Sequence, residues 1–318
     1  MSIRTVAVFH NSAAVGSAWC CAEGILTTLA AEGYQVLNCG NPHHTTVPLE
    51  LLRKVDLIIL GAPEWYGNIL TARYQAGWQQ IEAPKIAWYA ESAYRDDRTF
   101  DFRRCKDMAD IHYYPAIQDA EEFGGTWLPF AADTTIFRPL QIAKKYETAF
   151  LGTIYPKRAE YIQQVGFSID IMPPVHAQHP VESFHRLAQA YNSTKLFVNM
   201  PAYSRLLVTK VTEVMACGTM LVQPALDHPS GVRNMEQFVN GKHLVYYDQN
   251  RPDELADILK YYLHHPEERD VIAAAGLDEI RRAHTMKHIV DRMVADANGF
   301  LRRGDSDAVS DVVQVSIN

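Results

Sequence analysis

Two doubly wound α/β halves facing a central cleft are what this 318-residue sequence predicts. Three observations carry the prediction. Short apolar, β-branched runs alternate with amphipathic stretches of helical period, the order of a parallel sheet wrapped by helices. The run Val55 to Leu60 (VDLIIL) is almost wholly apolar, as in a parallel strand covered on both faces. The alternation then restarts after Leu128 to Pro139 (LPFAADTTIFRP), a linker segment with two prolines and little periodicity.

In the first half, Val6 to Phe9 reads as a strand and Asn11 to Ser17 as a turn-prone loop. A helix from Ala18 to Ala31 follows and is stopped by Gly33. Further strands are expected at Tyr34 to Cys39, Val55 to Leu60, Lys85 to Tyr89 and Asp110 to Tyr114. In the second half, strands are expected at Thr148 to Leu151, Lys195 to Met200, Met220 to Gln223 and His243 to Tyr247. Helices are expected at Pro156 to Val165, Val208 to Cys217, Pro252 to His264 and Pro266 to His284. Residues 1–139 and 140–295 are thus read as two domains, with 296–318 as a tail crossing back to the first. Gly304 to Asn318 is expected to be loose, or to add an edge strand through VVQVSI. Open parallel sheets bind ligands beyond the carboxyl ends of their strands, so a cleft between the halves is the expected site.

Composition narrows the class. With 30 Lys+Arg against 37 Asp+Glu the net charge is −7, which argues against non-specific nucleic-acid binding. Hydrophobic residues make up 47%, enough for a sizeable core, yet no apolar run approaches the roughly 18 residues of a membrane-spanning helix. The N-terminus lacks a basic-then-apolar signal pattern. Five scattered cysteines read as reduced thiols, so a cytoplasmic protein without a membrane span is expected. His176, His179 and His185 lack a completing acidic or thiol cluster and prolines break their segment, so no metal site is assigned.

Two segments carry the chemistry of the second half. Lys210 and Glu213 sit three apart at helical spacing and share a face; the residues alone read equally as a surface ion pair or as a ligand-binding pair. Gly152-Thr153-Ile-Tyr155-Pro-Lys157-Arg158 is a strand-to-helix turn with two cations in the first helical turn, suited to an anion or, more blandly, to a solvated basic corner. In the first half, Glu91 should emerge at the carboxyl end of the Lys85 to Tyr89 strand. It reads as a general base or as a partner of Arg95 or Arg98. Arg95 to Lys106 holds five basic and three acidic residues with interleaved aromatics, a solvated face or a grip for a polyanion.

TEVMACGTMLV (212–222) and the segment from Asn240 to Met293 resemble the C-terminal half of GT-B glycosyltransferases, most nearly the CgeB-like (spore-maturation-protein-like) group. The likeness spans about residues 146–295 and extends more loosely over 85–139. It implies GT-B architecture, two Rossmann-like domains about a central cleft, and transfer of a sugar from a nucleotide-diphosphate sugar to an acceptor hydroxyl. It also implies that Glu213, in the E-x-x-A-C-G pattern, receives the donor ribose, since a carboxylate can accept from both hydroxyls. Lys210 would meet the diphosphate, with Gly152, Thr153, Lys157 and Arg158 contacting phosphates. Gly16 and Ser17 are further diphosphate candidates. His10 ends the first strand, where some inverting members keep their base; a structural histidine is the other reading. The family needs no cofactor or metal, cations and helix ends offsetting the leaving group's charge. Retaining relatives carry a second glutamate eight positions before the first; here that residue is Arg205, so the stereochemical outcome stays open. Acceptors left open are a glycan, a protein, a small molecule or a modified DNA base. An epimerase and a non-catalytic nucleotide-sugar-binding module are the competing functions.

Overall fold

The computed structural model describes residues 3–11, 21–95, 99–174, 180–203, 205–227 and 229–315. Gly16 and Ser17 therefore lie outside the described residues, as do Arg98, His176 and His179.

The first half runs β1 (Thr5–Phe9), α1 (Cys21–Ala31), β2 (Gln35–Gly40), α2 (Leu49–Leu52), β3 (Leu57–Gly61), α3 (Gly67–Tyr74), α4 (Ala76–Gln79) and β4 (Lys85–Trp88). It closes with β5 (Ile111–Tyr114), α5 (Ile117–Phe123) and β6 (Thr126–Trp127). All six strands are parallel, in the order β2-β1-β3-β4-β5-β6. Side-chain alternation explains the apolar runs. Val6, Val8, Leu57, Ile59, Ile86 and Trp88 pack on one face, while Ala7, Phe9, Ile58, Leu60, Ala87 and Tyr89 pack on the other. Neither face meets water, so neither can be polar.

The second half runs β7 (Tyr146–Leu151), α6 (Pro156–Val165), β8 (Asp170–Met172), α7 (Pro180–Asn192), β9 (Thr194–Val198), α8 (Thr209–Ala216), β10 (Met220–Pro224), α9 (Pro229–Val232) and β11 (Val245–Tyr247). Its five parallel strands are ordered β11-β10-β9-β7-β8. Then come α10 (Pro252–His264), α11 (Pro266–Ala283) and α12 (Met286–Val315). In both sheets the second strand lies on one side of the first and the third on the other. Each sheet therefore has a switch point, between β1 and β3 and between β7 and β9.

Three features depart from the sequence reading. Pro180 does not break its segment but opens α7, since a first-turn proline forfeits no helical hydrogen bond. The 128–139 connection is no loose linker: Phe130 and Ala131 enter the first core, Ala132, Ile136 and Phe137 the second-domain core. Ala132 is also hydrogen-bonded to His284 and Met286 at 2.9 Å each. Finally, α12 continues through Val315, so Gly304 to Val315 is helical rather than a loose tail or an edge strand. A helix once nucleated extends at one hydrogen bond per residue.

The start of α12 returns to the first half. Met286, Ile289, Val290, Met293 and Ala297 are buried with α1 and β4 residues in one core. At roughly 1.5–3 kcal/mol per fully buried large apolar side chain, this seam is a firm attachment. Gly24 permits the approach of α1, because a Cβ there would sit 2.7 Å from Met286 Cγ. Polar ties flank the seam: Tyr113 donates to Asp296 at 2.5 Å, and Lys287 meets Glu32 at 2.9 Å.

Candidate active site

The carboxyl ends of both sheets open onto one cavity of about 1370 Å³. Its walls come from the residues just after β1 (Asn11), β3 (Trp65), β4 (Glu91), β7 (Gly152) and β9 (Asn199). Helix α8 supplies Lys210 and Glu213.

The packing of α8 decides what this pair can do. Val211, Val214 and Met215 face the core, which turns Lys210 and Glu213 toward the cavity. Glu213 is 7% exposed, so the surface-ion-pair reading does not hold. Its Oε2 accepts from the Tyr191 hydroxyl at 3.0 Å. Burial raises its carboxyl to about 7, against the opposing pull of the Tyr191 hydroxyl and the Lys210 charge. Lys210 Nζ donates to the Leu151 carbonyl at 2.6 Å and lies 5.0 Å from the centre of the Phe150 ring. Desolvation and the neighbouring Arg158 charge lower its ammonium to about 8, while Glu213 works the other way. A carboxyl pushed up and an ammonium pushed down are held three residues apart, both strained by burial and both relieved by a ligand offering hydroxyls and negative charge.

The β7–α6 turn supplies the adjoining wall. Gly152 has φ +152°, a conformation side chains rarely adopt, and a Cβ there would lie 2.9 Å from Phe150 Cζ. Its lack of a side chain leaves Lys210 Nζ 3.4 Å from the same point. Thr153 and Lys157 are exposed on this wall, and α6 points its N-terminus from Tyr155 and Pro156. Arg158 also lines the cavity, and its guanidinium has partners of its own. Its guanidinium donates to the carbonyls of Thr153 and Pro201 and lies 4.8 Å and 4.3 Å from the Phe150 and Tyr155 ring centres. Tyr155 in turn stacks on Tyr203 at 4.5 Å. Arg158 therefore clamps the loops after β7 and β9 together while lining the cavity beside Lys157 and Lys210.

In the first half, Glu91 lines the cavity, buried, with Arg95 Nη1 2.6 Å from its Oε2. The ion pair orients the carboxylate without taking it out of the site. His10 is also buried but is not among the lining residues. Its Nε2 lies 3.1 Å from Asn38 Oδ1, and burial lowers its basicity. Asn199 lines the cavity and donates to Gln223 Oε1 at 2.7 Å. Among the described residues, no three His, Cys, Asp or Glu side chains group as a metal site. His185 is exposed on α7.

Tyr191, Trp65 and Glu64 were missed in the sequence. Tyr191 lies 22 residues before the carboxylate it holds, with no local pattern linking them. Glu64 lies in the turn after β3, its Oε1 accepting from Ala90 N at 2.9 Å and its Oε2 buried without a partner. Burial raises this carboxyl to about 8.

Two parallel α/β sheets whose carboxyl ends share a cavity, with a carboxylate and cations gathered on one wall, define the GT-B architecture. Residues 135–295, half of the chain, match the family described as Glycosyl transferase-like; the chain belongs to that family and is a glycosyltransferase. HepE from Anabaena, solved with UDP and glucose, superposes with a TM-score of 0.66 at 12% identity, covering 93% of this chain and 100% of that one. Sucrose-phosphate synthase from Thermosynechococcus elongatus gives 0.62 at 13%, covering 96% and 100%. An α-glucosyltransferase in complex with UDP and a 13-mer DNA containing an A:G mismatch gives 0.62 at 11%, covering 93% and 100%. At these identities the likeness is one of fold. No curated protein sequence gives a significant match to the chain.

Proposed function

We propose that the protein transfers a sugar from a uridine-diphosphate sugar to an acceptor hydroxyl, without a metal or other cofactor. The observation that carries this reading is the α8 pair, Glu213 and Lys210, facing the cavity beside the Gly152 turn and the α6 N-terminus. The Glu213 carboxylate accepts the two ribose hydroxyls. Lys210, Lys157 and the positive end of α6 take the diphosphate charge. The UDP held by HepE supports uridine as the base.

In the transfer, the acceptor oxygen forms a bond to the anomeric carbon as the bond from that carbon to the diphosphate oxygen breaks. The bonding pair leaves with the diphosphate, and the acceptor proton passes to Glu91. Arg95 holds Glu91 in orientation. Residues 1–139 form the acceptor side and 140–295 the donor side, with α12 tying the second to the first. The segments around 212–222 and 240–293 support a CgeB-like placement within the family. Buried free thiols at Cys39, Cys105 and Cys217 support a cytoplasmic location. No helix among the described residues is long and apolar enough to cross a membrane.

Thermal-shift measurement with UDP-, GDP-, dTDP- and CDP-linked sugars tests the reading, because a ligand of the native state raises the melting temperature. UDP-sugars should give the largest rise. No rise with any sugar nucleotide would overturn it.

A further inference from the structure

We propose that the acceptor is a saccharide, one ring of which stacks on the Trp65 indole at the cavity wall and presents its hydroxyl to Glu91. The proposal rests on the glycosyl-transfer reading and names the substrate class of its open half.

Trp65 lines the cavity and is 40% exposed. The backbone beneath this ring is tied down. The turn passes through Ala62 at φ 58°, a left-handed conformation unusual for alanine. Ala62 N donates to the Trp88 carbonyl at 2.8 Å, and the fully buried Tyr66 donates to the Gly61 carbonyl at 3.0 Å. The Phe100 ring packs edge-on to the indole, 5.2 Å between centres, and His43 Nε2 lies 3.1 Å from the Trp65 carbonyl. Strain held by so many ties presents a fixed aromatic surface, a rigid anchor that loses little freedom on binding.

Glu64 joins this platform to the proposed base. Its Oε1 accepts the N–H of Ala90, the residue before Glu91, so the two turns move as one unit. Groups suited to hydroxyls line the same cavity: His43, His44, Asn41 and Glu91. The electron-rich ring face attracts the polarised C–H bonds of a sugar, and the polar groups take its hydroxyls.

A nucleic-acid strand would also stack on an indole, but it needs a cationic groove for its phosphates. Among the described residues of the Arg95 to Lys106 stretch, three of the four cations are each paired with a carboxylate. Arg95 is held by Glu91 at 2.6 Å, Arg103 by Glu122 at 3.4 Å and Arg104 by Asp101 at 3.4 Å. Phe102 is buried, and Phe100 is engaged by Trp65 and Phe102.

The test titrates UDP-saturated protein with maltose, cellobiose, N-acetylglucosamine and rhamnose, and with a 13-nucleotide single-stranded DNA, following tryptophan fluorescence and calorimetric heat. Wild type, Trp65→Phe and Trp65→Ala are compared, each checked first for its UDP thermal shift. At least one saccharide should bind, at least tenfold more weakly to Trp65→Ala and only a few-fold more weakly to Trp65→Phe, with the UDP shift unchanged in all three. Saccharide binding equal in Trp65→Ala and wild type, binding of the DNA alone, or silence of every saccharide despite bound UDP would overturn the proposal. Loss of the UDP shift in wild type itself would instead sink the donor reading on which the proposal stands.

Discussion

Replacing Glu213 by glutamine separates what its carboxylate costs the fold from what it gives the donor. The folded carboxyl titrates at about 7 against an ordinary 4.5. Between these values the native state holds the proton more tightly than the unfolded chain. Stability is thus greatest below pH 4.5 and falls as pH rises, with the loss complete above about pH 7. At about 1.4 kcal/mol per pH unit that loss approaches ~3 kcal/mol. Glutamine carries no charge to desolvate and can still accept from Tyr191. Lys210 loses an attractive neighbour, which reduces the gain. Glu213→Gln should therefore be more stable than wild type at pH 8 by ~1–3 kcal/mol, the difference vanishing near pH 4.5. Hydrogen bonds to a charged group are worth ~1.5–3 kcal/mol and neutral ones ~0.5–1.5. The same variant should then bind UDP roughly ten- to thirtyfold more weakly, at about 1.4 kcal/mol per tenfold. Urea unfolding at pH 5 and pH 8, with calorimetric UDP titration at pH 8, reads both effects. A variant destabilised at pH 8, or one with unchanged UDP affinity, would refute the reasoning.

Three further outcomes are expected. UDP affinity should rise with pH toward about 7 as Glu213 ionises and fall above about 8 as Lys210 loses its proton, the two apparent values belonging to the coupled pair; an affinity flat from pH 6 to 9 would contradict this. Gly152→Ala forces a side chain into φ +152° and against Phe150, so the melting temperature should drop by the equivalent of ~1–3 kcal/mol and UDP affinity should fall as Lys210 is displaced. Wild-type values in both measurements would argue against the turn's role. Gly24→Val drives a Cβ toward Met286, so amide exchange in the first turns of α12 should accelerate with a stability loss of ~1–3 kcal/mol; unchanged exchange would mean that α12 does not depend on this seam.

The strands of both sheet centres were legible because burial on two faces leaves a mark that a single sequence retains, as in Leu57–Gly61 and Met220–Pro224. The edges were not. β8 is three residues long, with Asp170 and Ile171 exposed, so no apolar run announces it. Helix α7 was hidden behind Pro180, although Phe184, Leu187, Ala188 and Tyr191 keep a helical period on the core. The cavity wall proposed for the donor was readable because Lys210, Glu213 and the 152–158 turn each lie within one short segment. The clamping contacts of Arg158 were not readable, because its partners, the Thr153 and Pro201 carbonyls, are backbone groups that no motif displays. Tyr191 and Trp65 escaped notice for a related reason: their significance comes from the fold, which sets Tyr191 beneath Glu213 and lifts Trp65 onto the cavity wall.

A crystal structure of the protein with UDP tests the central claim most directly. The claim requires the ribose hydroxyls within hydrogen-bond reach of Glu213 and the diphosphate between Lys210 and the start of α6. UDP bound elsewhere, or bound in this cavity with its ribose turned away from Glu213, would contradict it.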